Sequence, residues 1–399
     1  MSVHRGPGSG DGMERVRGRA AVVVAVVLGL LAVMAACTRT DPGGRVSASQ
    51  AAMPARIPSG AGLPGGAVDV GFAADGSGFA LLAECGKTRC VQRVAVLEKG
   101  AGAWRLGTSP LPDVTGDLGI TAGLVVLGPG RALITEGKWP PPERTWFTGD
   151  AGNSWREATN EPTGTTTTVP EGGVLVENCS RPDEEGNGCA RSRLVAVMPD
   201  TGEYRILADQ PPLKGVVIPA GHIGARLFTY GLDPRSGNPA LAVSEDRGKS
   251  WRTSAMPAGP KGWSMTVVTD GSVLYAAHHG QLPDEDDVKN GLLAIDRSTD
   301  GGHTWEQVWK HRKGAEPRSI LGAPIAAADG SLTVHGEDGV WRSTDDGRSF
   351  SRSSGGRGPQ GWVTTTPLGY LWGDSFGAGR YRISADGVHW RTFDLGDGT

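Results

Sequence analysis

One eight-residue pattern occurs four times in this chain, and it constrains the fold more than any other feature of the sequence. The pattern is Ser or Thr, any residue, Asp, any residue, Gly, any residue, Ser or Thr, and an aromatic residue. The copies span residues 148–155, 244–251, 298–305 and 343–350, and a shorter fifth copy spans 384–390. The shared positions are Asp150, Asp246, Asp300, Asp345 and Asp386, and Trp155, Trp251, Trp305, Phe350 and Trp390.

The residue types in this pattern suit a tight turn between two strands. An Asp carboxylate accepts hydrogen bonds from turn N–H groups, and Gly tolerates the positive φ that such a turn needs. The aromatic ring then packs beside a neighbouring strand. Each copy is therefore predicted to be a hairpin turn that stabilises itself, and its Asp is assigned a structural role rather than a catalytic one.

Two degraded copies complete the series. Asp200 to Tyr204 keeps the Asp, the Gly and an aromatic residue, whereas Glu98 to Trp104 keeps little beyond glycines and the Trp. The seven aromatic markers then recur at intervals of roughly 40 to 55 residues, which is the length of a four-stranded blade. The high content of 63 Gly and 27 Pro suits many short strands and tight turns. We predict an all-β fold, a seven-bladed β-propeller of four-stranded antiparallel blades over residues 67–399.

The repeated segments resemble the Asp-box (BNR) repeat of sialidases and of many other propellers. They are also similar to photosystem assembly factors and related exported repeat proteins. The resemblance covers about 330 residues, but its motifs specify a fold rather than a chemistry. It implies a propeller that either hydrolyses a glycoside or binds a partner on one face.

The N-terminus has the parts of a secretory signal. Three arginines precede an apolar run from Ala20 to Ala36, and Cys37 follows small residues as in a bacterial lipobox. We predict a lipoprotein signal peptide over 1–36, lipidation of Cys37, and a disordered tether over 37–66. The alternative is an uncleaved membrane anchor, since the apolar run is at the short limit for a span. Both interpretations of the N-terminus place the propeller outside the cytoplasmic membrane.

Without Cys37, four cysteines remain, and they fall into two local pairs. Cys85 with Cys90, and Cys179 with Cys189, are each flanked by strand-like runs. In an oxidising compartment such pairs indicate disulfides at two hairpin tips. A zinc site is the alternative, but the spacing lacks the paired knuckles and the histidines of such sites. We predict two disulfides and no metal.

The turns between second and third strands carry the elaborations, and they all fall on the face opposite the repeats. Loops on a rigid scaffold are where binding usually occurs. The candidate binding residues on this face are Arg89, Trp139, Arg144, Arg235, Asp284 and Asp286. The acidic run 284–287 is predicted to be a solvated loop rather than half a calcium site, because no Gly and no distant Glu complete the pattern.

Two other groups allow more than one interpretation. Trp139, followed by three prolines, is either a packed residue of a stiffened hairpin tip or a hydrophobic recognition element. His278 and His279 lie in a predicted strand, where neighbours point to opposite faces, so we do not expect them to bind a metal.

Sialidase activity requires specific residues. The resemblance identifies them as an arginine triad for the substrate carboxylate, an Asp that acts as the acid and base, and a Tyr–Glu nucleophile pair. The chain has an Arg-Ile-Pro motif like that of the first triad arginine, Arg56-Ile57-Pro58, but it lies in the predicted tether. Tyr370 as the nucleophile, and Arg318 and Arg380 as the other triad arginines, have no neighbouring residues that support these roles. We therefore predict a non-catalytic binding or assembly module with an exo-α-sialidase-like hydrolase as the alternative. The expected partner is a protein or glycan on the loop face, with no cofactor, a monomeric state, and no nucleic acid because the net charge is −3 with interspersed signs.

Overall fold

The computed structural model describes residues 53–115, 120, 122–137, 144–184, 188–254, 256–259, 261–283, 285–353, 361–374 and 379–396. These residues form 29 strands in seven sheets and no helix. Each sheet is one blade of a β-propeller, so the predicted fold class is confirmed. Blade 1 has a short fifth strand, β5, which pairs with β3.

The strands follow one another blade by blade along the chain. Blade 1 contains β1 (Gly66–Phe72), β2 (Gly78–Cys85), β3 (Arg89–Leu97), β4 (Arg105–Leu106) and β5 (Val114–Thr115). Blade 2 contains β6 (Gly123–Gly128), β7 (Arg131–Glu136), β8 (Arg144–Thr148) and β9 (Arg156–Ala158). Blade 3 contains β10 (Thr165–Thr166), β11 (Val174–Pro182), β12 (Cys189–Val197) and β13 (Tyr204–Leu207). Blade 4 contains β14 (Lys214–Ile223), β15 (Arg226–Leu232), β16 (Pro239–Ser244) and β17 (Arg252–Thr253).

The last three blades continue in the same order. Blade 5 contains β18 (Ser264–Thr269), β19 (Leu274–Gly280), β20 (Gly291–Ser298) and β21 (Glu306–Lys310). Blade 6 contains β22 (Ile325–Ala326), β23 (Leu332–His335), β24 (Val340–Ser343) and β25 (Ser351–Arg352). Blade 7 contains β26 (Gly361–Thr366), β27 (Gly369–Asp374), β28 (Arg380–Ser384) and β29 (Arg391–Asp394).

Blade 3 is assembled differently from the other six. Its sheet order is β10-β13-β12-β11, and β10 pairs with β13 in parallel, whereas every other pair of strands is antiparallel. The chain therefore places the outermost strand of this blade first and then crosses back to begin β11. The degraded copy at Asp200 lies between β12 and β13.

The repeated turns are held by a dense set of hydrogen bonds, as the second copy illustrates. Asp246 accepts hydrogen bonds from the hydroxyl of Ser244 (2.8 Å) and from the backbone N–H and hydroxyl of Ser250 (2.9 and 2.7 Å). The Ser244 hydroxyl in turn accepts from the N–H of Gly248 (2.7 Å). The same bonds recur in the fourth copy, where hydrogen bonds from Ser349 lower the pKa of Asp345 to about 2.

The residue after the shared Asp of the repeated turn adopts a left-handed conformation in three copies, although it is not glycine. Its φ is 57° at Ala151, 59° at Arg247 and 61° at Asp346, while the third copy has Gly301 at this position with a φ of 72°. L-residues are disfavoured in this region because Cβ approaches the following carbonyl. The hydrogen bonds of the box therefore impose some strain on the turn.

Apolar residues form layers between neighbouring blades. The layer between blades 4 and 5 contains Phe228, Leu241, Met265 and Ala276, and equivalent clusters lie between the other adjacent blades. Since burial of apolar surface is the main favourable term in folding, these layers hold the ring of blades together.

The ring closes through a segment that precedes the first strand. Gly60 donates its N–H to the carbonyl of Asp394 (2.7 Å) and accepts from the N–H of Gly396 (3.1 Å). The Trp104 indole donates to the carbonyl of Pro58 (2.8 Å), and Leu63 is buried between blades 7 and 1. The prediction of a disordered tether up to residue 66 is therefore wrong at its C-terminal end, because residues 54–66 pack against blades 1 and 7.

Replacement of Arg247 tests the strain at the turn. We expect Arg247→Gly to be more stable than Arg247→Ala by about 1 kcal/mol, because glycine adopts positive φ without a Cβ clash. Both variants lose the same side chain, so each controls for the other. Urea unfolding of the two proteins measures the difference, and the usual order, with Ala more stable than Gly, would contradict the assigned strain.

Truncation tests the closing segment. A chain that begins at Gly66 loses the buried Leu63 and the hydrogen bonds of Gly60, and we expect it to lose about 3 kcal/mol or more of unfolding free energy. A chain that begins at Met53 serves as the control and should be as stable as one that begins at Thr38. Equal stability of all three in urea unfolding would show that the segment contributes nothing to closure.

Candidate functional site

The turns of the propeller lie on two opposite faces. On the first, which we call the box face, the repeated turns meet the turns between the first and second strands of the blades. Ala151 donates its N–H to the carbonyl of Gly130 (2.9 Å), and Arg247 donates its N–H to the carbonyl of Ala225 (3.2 Å). The second, which we call the loop face, carries the turns β2–β3, β7–β8, β15–β16 and β19–β20. The β11–β12 turn belongs to it as well.

Blade 3 keeps this division of faces despite its altered strand order. Asp200, in the turn between β12 and β13, forms an ion pair with Arg131 at the β6–β7 turn (2.6 Å), so it lies on the box face. Val174, at the start of β11, pairs with Val197 just before that turn. The tip between Pro182 and Cys189 is therefore at the opposite end, on the loop face.

Both predicted disulfides are present and both lie on the loop face. Cys85 is bonded to Cys90 across the β2–β3 turn, and Cys179 is bonded to Cys189 across the β11–β12 turn. Cys85 and Cys90 are also direct cross-strand partners. Each disulfide fixes the tip of one hairpin.

The predicted binding arginines on this face differ in how they are engaged. Arg89 donates to the Asp113 carboxylate, in the segment that leads into β5. Arg144 lies 3.5 Å from a Glu136 carboxylate oxygen. Arg235 is exposed at the tip of a turn that Asp233 holds through the N–H groups of Arg235 and Ser236. Of these three, Arg235 is the one with no ion pair to a described residue.

The acidic run in the β19–β20 turn is only partly solvated, which corrects its prediction as a solvated loop. Glu285 is 8% exposed, and its carboxylate lies 3.2 Å from His311 Nε2 and 3.2 Å from an Arg318 nitrogen. Leu282 and Val288 are buried beside it. The turn is therefore anchored to the blade through Glu285, while Asp286 is exposed to solvent.

Several predicted features lie outside the described residues. These are the signal peptide, Cys37 and the first part of the tether, and also Trp139 and Asp284. Within the part of the chain that the structure describes, no helix is long and apolar enough to span a membrane. In that same part, no three or more His, Cys, Asp or Glu side chains come together as metal ligands would.

The two adjacent histidines of β19 have separate partners. His278 is buried, and its Nε2 lies 2.6 Å from an oxygen of Asp296, which is also buried. His279 Nε2 lies 3.1 Å from the Thr266 hydroxyl, and burial lowers the pKa of His279 to about 4. The two rings therefore do not share a site.

The residues considered for a sialidase are far apart in the fold. Tyr370 is buried and pairs with Ser384 at the start of a repeated turn, so it lies toward the box face. Its hydroxyl donates to the carbonyl of Ala326 (3.1 Å), and burial raises its pKa. Arg318 contacts the β19–β20 turn on the loop face, at the other end of the blades.

The remaining two arginines are also outside any common site. Arg380 forms an exposed ion pair with Asp394 (3.2 Å), and Arg56 is exposed in the closing segment. The structure thus brings none of the residues considered for a sialidase together.

Sequence reasoning missed one unusual carboxyl, that of Asp69 in β1. It accepts a hydrogen bond from the N–H of Leu124 (2.9 Å), and burial raises its pKa to about 6. An Asp inside an apolar first strand, Ala67-Val68-Asp69-Val70, was the available signal, because such a position is buried between blades.

Comparisons with known proteins find similar solved structures but no similar sequence. No family profile and no curated protein sequence matches the chain. Among solved structures, it is similar to an oligogalacturonate lyase from Vibrio parahaemolyticus (11% identity, 79% of this chain and 87% of that chain, TM-score 0.40). It is also similar to a GH93 α-L-arabinofuranosidase of Fusarium graminearum (12% identity, 69% of this chain and 92% of that chain, TM-score 0.37). A third similar structure is the β-propeller domain of the trilobed protease from Pyrococcus furiosus (9% identity, 81% of this chain and 96% of that chain, TM-score 0.40). These similarities concern the fold alone.

The pKa of Asp69 predicts a pH dependence of stability. Because the pKa of about 6 in the folded state lies above the ordinary Asp pKa of 3.8, the folded state binds more protons between these pH values, and stability falls as pH rises through that window. Asp69→Asn keeps an acceptor for Leu124 and should raise the unfolding free energy at pH 7 by about 2 kcal/mol, with little effect at pH 4.

Asp75→Asn is the matched control for this measurement. Hydrogen bonds from Ser77 outweigh burial and lower the pKa of Asp75, so this substitution should not stabilise the protein at any pH and its effect should not change between pH 5 and pH 7. Urea unfolding at pH 4, 5, 6 and 7 distinguishes the two. An Asp69→Asn effect that is constant across this range would contradict the raised pKa.

Proposed function

We propose that this chain is an exported, non-catalytic binding module that is lipid-anchored through Cys37 and binds its ligand on the loop face. The observation that carries the proposal is the construction of that face. Its two disulfides fix two hairpin tips, and Glu285 anchors a third turn, so several loops project from a closed ring in defined conformations. Loops that are fixed in this way lose little conformational entropy when a ligand binds.

The arrangement of polar residues supports binding over catalysis. A glycoside hydrolase needs two carboxyl groups that flank one bond, and a sialidase also needs a tyrosine near its substrate. Tyr370 is buried with its hydroxyl bonded to backbone, and Arg318 lies among Glu285, Asp287 and Glu316. Neither side chain is available to a substrate on a shared surface.

The cysteines support the anchor. The chain has five cysteines, and the two disulfides use four of them. Cys37 is therefore the one left, and it stands directly after the apolar run and its small residues. A lipid on this residue would tether the propeller through the segment that precedes Met53.

A binding comparison between two triple variants tests the proposed face. One carries Arg235→Ala and Asp286→Ala on the loop face together with Trp139→Ala at the predicted hairpin tip, and the other carries Lys99→Ala, Lys249→Ala and Val388→Ala on the box face. With the full chain in non-ionic detergent, a glycan array and cross-linking to envelope proteins should show a ligand that the first variant loses and the second retains. Equal binding by both variants would refute the choice of face.

The catalytic alternative has its own test. We expect the purified chain not to cleave a fluorogenic sialoside between pH 4 and pH 8. Turnover that Tyr370→Phe abolishes, with the unfolding temperature unchanged, would overturn the non-catalytic proposal.

A further inference from the structure

Three arginines lie on one side of the disulfide-bonded hairpin of blade 3. Arg181 in β11 is the direct cross-strand partner of Arg191 in β12, and Arg193 follows two residues along the same strand. Residues two apart on a strand point to the same face, and so do direct cross-strand partners. The three guanidinium groups therefore extend from one surface, with side chains that are exposed or half-buried.

This arrangement opposes folding unless something else compensates it. Like charges directly opposite each other on two strands are destabilising. None of the three arginines forms an ion pair with a described carboxylate, and Arg193 instead donates to the neutral amide oxygen of Asn178 (2.9 Å). Most arginines elsewhere in the described chain do have such a pair, for example Arg342 with Asp329 (2.6 Å). The Cys179–Cys189 bond holds the hairpin closed in spite of the repulsion.

The hairpin also projects beyond the rest of its blade. Strands β11 and β12 have nine residues each, whereas β13 pairs only with Val195, Ala196 and Val197. The part that carries the arginines is therefore not covered by β13. Lys214 at the start of β14 and Arg235 in the β15–β16 turn, both in blade 4, also lie on the loop face.

The arginines lie on the side of the hairpin that faces blade 2. Ser192, which stands between Arg191 and Arg193 in β12, is bonded to the backbone of Val217 in blade 4. Side chains alternate along a strand, so Arg191 and Arg193 point away from blade 4, as do the next residues of the same alternation, which pack against blade 2. The groove of about 270 Å³ between the hairpin and blade 4 is therefore on the other side of β12.

We propose that this arginine cluster binds an acidic polysaccharide, an extended glycan with carboxylate or sulfate groups at repeated intervals. The inference rests on the proposed function and names the ligand class of the loop face. Guanidinium groups match carboxylate and sulfate oxygens in a bidentate geometry, and a row of them matches a polymer with regularly spaced charges. A ligand of this kind removes the repulsion between Arg181 and Arg191.

The surroundings favour a glycan over a lipid surface or an acidic protein. Peripheral membrane binding and protein interfaces both rely on exposed apolar or aromatic anchors near the charges. The large exposed apolar side chains of the described residues are Met53, Val68, Leu106, Trp263, Trp362 and Val388, and none of them belongs to this hairpin. The protein as a whole has a net charge of −3, so the cluster is not part of a general cationic surface.

Binding of the full chain, in non-ionic detergent, to immobilised polygalacturonate and dextran sulfate tests the proposal, with neutral dextran as the reference. We expect binding to both acidic polymers that weakens as salt rises. Substitution R181Q/R191Q/R193Q should weaken it at least about tenfold, because three charge-assisted donors are lost. The control K99Q/K249Q/R391Q makes the same change of net charge on the box face and should bind as the wild type does.

Thermal unfolding of the two variants separates a binding role from a structural one. The loop-face variant should unfold at the wild-type temperature or above it, because like charges no longer face each other. A lower unfolding temperature together with lost binding would instead assign the arginines to the fold and overturn the proposal.

Three further outcomes would contradict the inference. Equal loss of binding in both variants would indicate simple ion exchange. If polyglutamate or glycerol phosphate competed as effectively as oligogalacturonate, the cluster would be a peptide or phosphate site. Absence of binding to either polymer would reject the ligand class. That last result leaves the proposed function intact, because the comparison of loop-face and box-face variants measures the function with other ligands.

Discussion

The contact between each repeated turn and the blade before it is the interaction on which the rest of the structure depends. A Cβ on Gly248 would lie 2.9 Å from the side chain of Leu207 in blade 3, so the glycine allows both the positive φ of 90° and the close approach. The Trp251 indole donates to the carbonyl of Asp209 in the connection between the same two blades (2.9 Å). In blade 1, Arg105 reaches the carbonyl of Ala151 in the next turn (2.7 Å). One short motif therefore closes its own hairpin and also attaches its blade to the preceding one.

This dual role leaves the box face with little freedom for function. The Asp carboxylates accept most of the hydrogen bonds of their turns, and the aromatic rings lie against the neighbouring blade. Substitution of these residues would affect blade attachment before it affected any ligand. The loop face has no such repeated element, so its turns differ in length, charge and anchoring from blade to blade.

The repeats allowed the sequence to predict the blades well, because a turn motif with local hydrogen bonds carries its structure in a few adjacent residues. The seven predicted blades are all present, and both disulfides were identified from local spacing. The closing segment was missed because residues 54–66 have no periodicity of their own and become ordered only against Trp104 and Asp394. The buried position of Glu285 was missed for a similar reason, since Arg318 is 33 residues away. Contacts between segments that are distant in sequence leave no local pattern.

The hairpin of blade 3 combines both kinds of information. The cysteine spacing indicated that its tip is cross-linked, but the charges of Arg181 and Arg191 acquire a meaning only through the register that puts them opposite each other. That register includes a bulge at Ser180, which the sequence does not signal. Without the bulge, Arg181 would shift by one position and point to the other side of the strand, because side chains alternate along it. The disulfide and the bulge together therefore determine that three positive charges share one surface.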